Sequence, residues 1–434
     1  MKALLRYWVV SILTWEAKQV LRRQNPRIVG VTGNVGKTSA KDTIASVLGT
    51  GFTVKKSEKS YNSELGLPLS VLGLESGWDS PFAWLLNMMS GFYQVIFRRK
   101  NFPEWLVLEL GVDQVGDMKK AVSWLSMDVV VMTGMSDPPV HAEFFKSPDE
   151  LYAEKARIID GLKLGGVLII NGDDPITVRL ASESGRGAIS FGIKSGSGIV
   201  ASNIHITYRE ESGKRLPEGI TFKLEYQGKS LPVRMPGVVG KNMVYAALAA
   251  ITVGMTQKLN VVETIAALST AEKPRGRLRL LRGKKGCFIL DDSYNSSPTA
   301  ATLAVDTLKE IIVKGKKIAV LGDMLELGSF AENAHEKLGT KVADVAHTLF
   351  TVGTLARGIR EGALDAGFDH ERAIHFSKSI DVIPSLLETI KEGDLVLVKG
   401  SQGVRMERIV RELLKDTERA SDLLVRQDKQ WLAR

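Results

Sequence analysis

Gly30-Val31-Thr32-Gly33-Asn34-Val35-Gly36-Lys37-Thr38-Ser39 is the stretch on which the fold turns. Before it, Arg27–Val31 is a short β-branched run that reads as a buried strand. After it, Lys37–Leu48 has helical spacing. A glycine-rich turn from a strand into a helix is the setting of a phosphate loop. Glycines let successive backbone N–H groups face phosphate oxygens, and the helix N-terminus adds partial positive charge. In that reading Gly33 and Gly36 shape the turn, Lys37 reaches the β- and γ-phosphates, and Thr38 ligates Mg²⁺. The first glycine of the common Gly-x4-Gly-Lys spacing is displaced: Val31 stands there, and Gly33 supplies the turn two steps inside. The loop implies a nucleotide but not the reaction it drives.

Working outward, Trp105–Leu110, Asp128–Thr133 and Gly166–Ile170 read as further buried parallel strands, with Pro148–Leu162 as an intervening helix. The alternation predicts a doubly wound α/β core. Asn203–Tyr208, Ile220–Tyr226 and Lys229–Arg234 read as hairpin strands at a sheet edge, and Val239–Met255 as an alanine-rich helix. Ala271–Arg277 combines Pro, Gly and dense charge, as a domain junction does. Beyond it Cys287–Leu290, Lys317–Leu321, Thr348–Val352 and Asp394–Val398 begin a second, Rossmann-like α/β unit. The expected division is a helix over 1–26, an ATP-binding α/β domain over 27–272 and a second α/β domain over 273–434.

The 434 residues are 44% hydrophobic and 25% charged, enough to build large cores, so wholesale disorder is excluded. A single cysteine, Cys287, excludes a disulfide scaffold and a multi-cysteine zinc site. The net charge of +9 suits an anionic ligand or surface. Nucleic acid is a weak candidate, because no aromatic-basic binding module accompanies the charge. Nearly half of the excess lies in residues 1–26, where Lys2, Arg6, Lys18, Arg22 and Arg23 outweigh Glu16. The uncharged run there, Tyr7–Trp15, is far short of the ~20 residues that span a bilayer, and no cleavage site follows it. Two readings of this helix stand: docking on the domain that follows, or peripheral contact with a membrane interface.

Glu109 falls at the carboxyl end of the Trp105–Leu110 strand, where ligands of open α/β sheets bind. His141 and Glu143 follow the next strand. Each could ligate a metal; equally, each could be a hydrogen-bonded loop residue. By composition Lys155 is a surface lysine on a charged helix face.

Taken in order, the motifs resemble the Mur ligase family, ATP-dependent amide-forming enzymes of cell-wall peptide assembly. Thr32–Ser39 is similar to its phosphate loop, including Asn34 and Ser39; Asn62-Ser-Glu-Leu-Gly-Leu-Pro68 is similar to the loop after it; and Leu108-Glu-Leu-Gly111 is similar to its magnesium-binding strand end. His141 and Glu154-Lys155 match its histidine and the lysine that many members carbamylate. Asn171–Pro175, Gly240–Ala247, Asp291–Pro298, Ala319–Gly328 with His335, and Val398–Ser401 match later motifs, closest to the branch that adds D-alanyl-D-alanine.

The resemblance implies addition of D-alanyl-D-alanine to a UDP-N-acetylmuramoyl-tripeptide through an acyl phosphate, with ATP and two Mg²⁺ ions. It implies that Thr38, Glu109, His141 and a carbamylated Lys155 hold metal, that Asn242, Arg277, Asp292 and Asn295 touch ATP, and that Asn62, Asp323, Glu326, Lys399 and Ser401 meet substrate. For Asp292 and Asn295 the alternative is turn chemistry after a strand; for Asp323 and Glu326 it is helix capping. The resemblance also implies a cytoplasmic monomer. With the phosphate loop beginning at residue 30, the family's usual uridine-nucleotide-gripping domain is expected to be absent, so a partner chain or a lipid-linked donor becomes a candidate. The alternatives are a related ligase with another acceptor and a non-catalytic nucleotide-binding scaffold of wall synthesis.

Overall fold

The structure is a computed structural model that describes residues 2–432, apart from 59–60, 62–63, 79, 98–99, 136–141, 195 and 212–213; at 2–5, 142 and 214 only the backbone is described. The first half runs α1 (Lys2–Gln24), β1 (Arg27–Thr32), α2 (Lys37–Leu48), β2 (Val54–Lys56), α3 (Gly66–Leu72), α4 (Pro81–Ile96), β3 (Trp105–Glu109), α5 (Asp117–Val122), β4 (Met127–Met132), α6 (Pro148–Ala156), β5 (Leu162–Asn171), α7 (Pro175–Glu183), β6 (Ala188–Gly192), β7 (Ile199–Glu211), β8 (Lys214–Tyr226), β9 (Lys229–Pro236), α8 (Lys241–Thr256) and α9 (Val261–Thr270). The second half runs β10 (Arg279–Arg282), β11 (Phe288–Asp292), α10 (Pro298–Glu310), β12 (Lys317–Gly322), α11 (Ala331–Ala343), β13 (Thr348–Val352), α12 (Arg357–Asp365), β14 (Ala373–Phe376), α13 (Ile383–Thr389), β15 (Leu395–Lys399), α14 (Glu407–Leu413), α15 (Ala420–Leu423) and α16 (Lys429–Leu432).

Two sheets result. The first has the order β2-β3-β1-β4-β5-β6-β7-β8-β9, parallel from β2 through β7 and antiparallel over β7-β8-β9. The second has the order β10-β11-β15-β12-β13-β14, parallel except for β10. Both parallel regions are buried on both faces, as the continuous apolar strands require. In β3, Trp105 and Val107 join the core beneath α2 and α8, while Leu106 and Leu108 join the opposite one. Ala246, Ala247, Ala249 and Ala250 of α8 are all buried, and their small side chains let α8 lie close to α2 and the sheet.

α1 docks. Val9, Leu13, Ala17 and Val20 enter the core on the face of the first sheet that also takes α3. Among the described residues no helix is long and apolar enough to cross a membrane. The helix expected to reach Leu162 stops at Ala156 and tightens into a 3-10 turn over Arg157–Gly161. That turn buries both Ile158 and Ile159 and presses Gly161 onto β4, where a Cβ would lie 2.6 Å from Met127 Cε. The next strand accordingly starts at Leu162, earlier than expected, and reaches its regular register through a shift between Met127 and Val129.

Candidate active site

From β1 the chain winds to β2 and β3 on one side, then crosses to β4 and β5 on the other. The direction of winding reverses at β1/β4, and open α/β sheets bind ligands outside the strand ends at that point. The glycine-rich loop occupies it. Asn34 and Val35 N–H both donate to Gly134 O, at 2.9 and 3.0 Å. Gly33 has φ +144°, and a Cβ there would lie 2.1 Å from Thr133 Oγ1. Gly36, the residue before α2, has φ +84°, a left-handed conformation that favours glycine.

Four side chains converge here. Glu109, the last residue of β3, pairs in register with Val31. Its Oε2 accepts from Thr38 Oγ1 at 3.0 Å. Lys37 Nζ donates to Gly33 O at 2.8 Å, and Lys155 Nζ, arriving from α6, reaches the same carbonyl at 3.5 Å. Lys155 is 2% exposed, not the surface lysine its helix composition implied. Burial pulls its ammonium well below the usual lysine range; Lys37 pushes the same way, while Asp113 and Glu109 oppose. Lys37 is lowered as well, by burial first, with Arg277 adding and Glu109 opposing. The Thr38–Glu109 oxygen pair fits a hard divalent cation. Among the described residues no group of three or more His, Cys, Asp or Glu could hold a metal.

The second sheet faces this cluster. Arg277 Nη2 donates to Thr38 Oγ1 at 3.2 Å, and its guanidinium lies 4.1 Å from the Tyr294 ring centroid. Its Nε is buried and unpartnered. Asp292 and Lys399, in register on β11 and β15, form a buried ion pair at 2.6 Å. Lys399 also donates to Asn295 O at 3.0 Å, and burial lowers it despite Asp292. Ser401 Oγ accepts from Leu325 N at 2.9 Å. Asp323 accepts from Thr354 and Ala356 N–H, so its carboxylate caps the approach to α12. Glu326 is exposed at φ +64°, a conformation that costs a non-glycine residue energy.

Two clefts flank the cluster. One of about 410 Å³ is lined by Gly36, Met135, Asn171, Asp173, Asn242 and Tyr245. Asn242 Oδ1 is buried there without a partner, an acceptor available to a ligand. Asp174 accepts from Met135, Ile176 and Thr177 N–H and so fixes one wall. The other cleft, about 730 Å³, runs between the sheets past Thr38, Lys41, Ser57, Trp78, Tyr294 and Arg426.

Of the residues expected from sequence, the structure brings together Gly33, Asn34, Gly36, Lys37, Thr38, Glu109, Lys155 and Arg277. Ser39 is buried in the first turn of α2, and Asn242 borders the smaller cleft. Asp292, Asn295, Asp323, Lys399 and Ser401 gather at the carboxyl ends of the second sheet. His141 and Asn62 lie outside the described residues. Asp113, Lys41, Tyr294, Arg426 and Trp431 were not anticipated. Lys41 donates to Ser57 O at 2.7 Å, and its place one turn after Lys37 was a usable signal. Arg426 and Trp431 reach the cleft from the C-terminal segment and carried no local signal.

Residues 86–254 match the Mur ligase middle domain, and residues 276–402 match the Mur ligase glutamate ligase domain. The chain is 31% identical over 400 residues to the UDP-N-acetylmuramoyl-tripeptide–D-alanyl-D-alanine ligase of Bacillus subtilis (strain 168), covering 92% of this chain and 78% of that one. It is 28% identical to the enzyme of the same name from Escherichia coli (strain K12), covering 91% and 78%. The crystal structure of MurF ligase from Thermotoga maritima in complex with ADP superposes with a TM-score of 0.75 at 26% identity, covering 94% of this chain and 84% of that one.

Proposed function

This chain belongs to the Mur ligase family, and on that premise we propose that it is an ATP-dependent C–N ligase joining D-alanyl-D-alanine to a UDP-N-acetylmuramoyl-tripeptide. The observation that carries the reading is one constellation: Lys37, Thr38, Glu109 and Lys155 at the strand ends of one sheet, met by Arg277 from the other.

The chemistry has two steps. A carboxylate oxygen of the tripeptide attacks the γ-phosphorus of ATP; the O–Pγ bond to ADP breaks and an acyl phosphate forms. The amine of the dipeptide then attacks the acyl carbon; the C–O bond breaks, phosphate leaves, and the nitrogen loses a proton. Both steps crowd anions together, so fixed cations and backbone dipoles carry the catalysis. Lys37 and the loop N–H groups would hold the β- and γ-phosphates. Arg277, stacked on Tyr294, would meet the nucleotide from the second domain together with Asp292 and Asn295. Asn242 would accept a hydrogen bond from the nucleotide in the smaller cleft. Ser401 and Lys399 would set the loops against which the dipeptide carboxylate rests, with Glu326 and Asp323 near its amine and Asn62 on the tripeptide side.

Thr38 and Glu109 would hold Mg²⁺, with His141 and a carbamylated Lys155 at a second ion; the metal neutralises phosphate oxygens during transfer. Carbamylation requires a neutral amine. The lowered Lys155 supplies one: its Nζ bonds to the carbon of CO₂, a proton departs, and a cation becomes an anion.

We assign the boundary to residues 272/273, with Pro274–Arg277 as the hinge of a closing motion. We also place residues 1–26 in peripheral contact with the inner face of the membrane, where Trp8 and Trp15 of α1 are exposed. This makes a lipid-linked donor an alternative to the soluble one.

The test is phosphate release from ATP with UDP-N-acetylmuramoyl-tripeptide, with and without D-alanyl-D-alanine, and mass analysis of the product. Dipeptide-dependent release with the matching mass gain is expected. ATP binding by a folded chain without product from either the soluble or the lipid-linked donor would overturn the reading.

A further inference from the structure

α4 has no charged residue from Pro81 to Phe97. Its inner face is pinned: Gly91 lets Glu16 of α1 approach so closely that a Cβ would lie 1.9 Å from Glu16 Oε2, and Arg23 donates to Val95 O and Ile96 O at the end of the helix. Its outer face is apolar and open. Phe82, Leu86, Met89, Phe92, Tyr93 and Ile96 recur at helical spacing and are 46% to 68% exposed. The face is about 24 Å long at 1.5 Å per residue. An exposed apolar face of that extent marks an interaction site. α1, packed beside it, leaves Trp8, Ile12 and Trp15 exposed.

We propose that α1 and α4 together form a platform that docks on an anionic lipid bilayer, with the outer face of α4 entering the headgroup region. This rests on the membrane contact proposed above for residues 1–26 and assigns the inserting element to α4. Charge selects the occupant. Arg6, Arg22, Arg23 and Lys100 are exposed around the two helices, and the sequence sets Arg98 and Arg99 directly before Lys100. The sole acid on either helix is Glu16, and it is buried. A second copy of the chain would therefore set these cations against cations. Anionic headgroups answer them, at about 1 kcal/mol per basic residue near the surface. Trp and Tyr at the rim suit the water–lipid boundary. At 16 residues α4 is too short to cross a bilayer, so it lies in the interface plane. Trp78, three residues before α4, lines the cleft of about 730 Å³, so the platform begins at the cleft's rim.

The experiment is co-sedimentation of the full chain with phosphatidylglycerol–phosphatidylethanolamine vesicles and with phosphatidylcholine vesicles, for the native chain and for the double variant Leu86→Glu with Tyr93→Glu. The native chain is expected to partition about tenfold more onto the anionic vesicles, and the double variant to lose that excess. Unchanged ligase turnover of the double variant in vesicle-free buffer would show that it is folded. Sedimentation of neither protein, or of both equally, overturns the proposal. So does a native dimer in analytical ultracentrifugation that the double variant abolishes, or recovery on a soluble protein partner in place of lipid. The binding arm needs neither ATP nor precursor, so absence of ligation would sink the catalytic reading and leave this one standing.

Discussion

Arg277 Nη2 donates to Thr38 Oγ1 at 3.2 Å across 239 positions of sequence, joining the hydroxyl at the start of α2 to a guanidinium from the junction of the two halves. The same guanidinium is felt by Lys37 in one sheet and by Lys399 in the other. Arg277 therefore couples the two clusters. Replacing it by Ala should lower kcat/KM for ATP by about 10²-fold, about 2.7 kcal/mol, as when one charge-stabilising donor is lost. Because the group is tied to no structural network beyond Thr38 and Tyr294, melting temperature should change little. Steady-state kinetics beside a thermal melt checks both.

Lys155 shares the Gly33 carbonyl with Lys37, so two lysines crowd one acceptor. Burial and that neighbour favour the neutral amine of Lys155 at pH values where an ordinary lysine is charged. With ¹³C-labelled bicarbonate, a carbamate carbon resonance should appear in the native protein and be missing from Lys155→Ala. Turnover of that variant should fall by about 10³-fold or more, the scale of losing a charge-stabilising group. An identical carbon spectrum from native and variant would remove carbamylation from the reading.

Lys399 and Asp292 form a buried pair, 2% and 6% exposed at their side chains. Lys399→Ala leaves an uncompensated buried carboxylate and should cost about 3–5 kcal/mol. Lys399→Met with Asp292→Asn removes both charges and should cost much less. Denaturant unfolding of the native chain, the single variant and the double variant tests the pair. Equal destabilisation by both variants would argue against charge as the cause.

Glu16 lies buried between α1 and α4, and burial raises its carboxyl from the ordinary 4.5 to about 7. Between those values the folded chain holds a proton that the unfolded chain has released. Stability therefore falls as pH rises from about 4.5 to about 7 and stays low above that. Glu16→Gln should abolish this dependence and stabilise the protein by roughly 1–3 kcal/mol at pH 8, with little effect at pH 4.5. Thermal melts at the two pH values decide it.

Legibility followed the range of the interactions involved. The Gly33–Ser39 turn and the strands beside it were readable because each rests on local chemistry: glycines at positive φ, β-branched runs, a helix start. Glu109 was placed correctly at the end of its strand for the same reason. α6 was read too long, because the pull of β4 on Gly161 is a contact between distant segments. Lys155 was misjudged as a surface residue, since helix composition does not reveal what a helix packs against. Arg426 and Trp431 could not be found at all; they matter through Tyr294 and Arg405, which chain spacing does not bring near.

The sequence by itself determined two α/β units, the phosphate loop at their first strand–helix turn, and the family to which the motifs belong. These follow from backbone geometry and side-chain periodicity, which act over a few residues. The tertiary structure alone decided which lysines are buried together, that Arg277 reaches Thr38, that Asp292 and Lys399 neutralise each other, and that α4 turns its apolar side outward. Those facts depend on desolvation and charge pairing between residues tens to hundreds of positions apart. No local pattern encodes them until the sheets have brought the partners into one place.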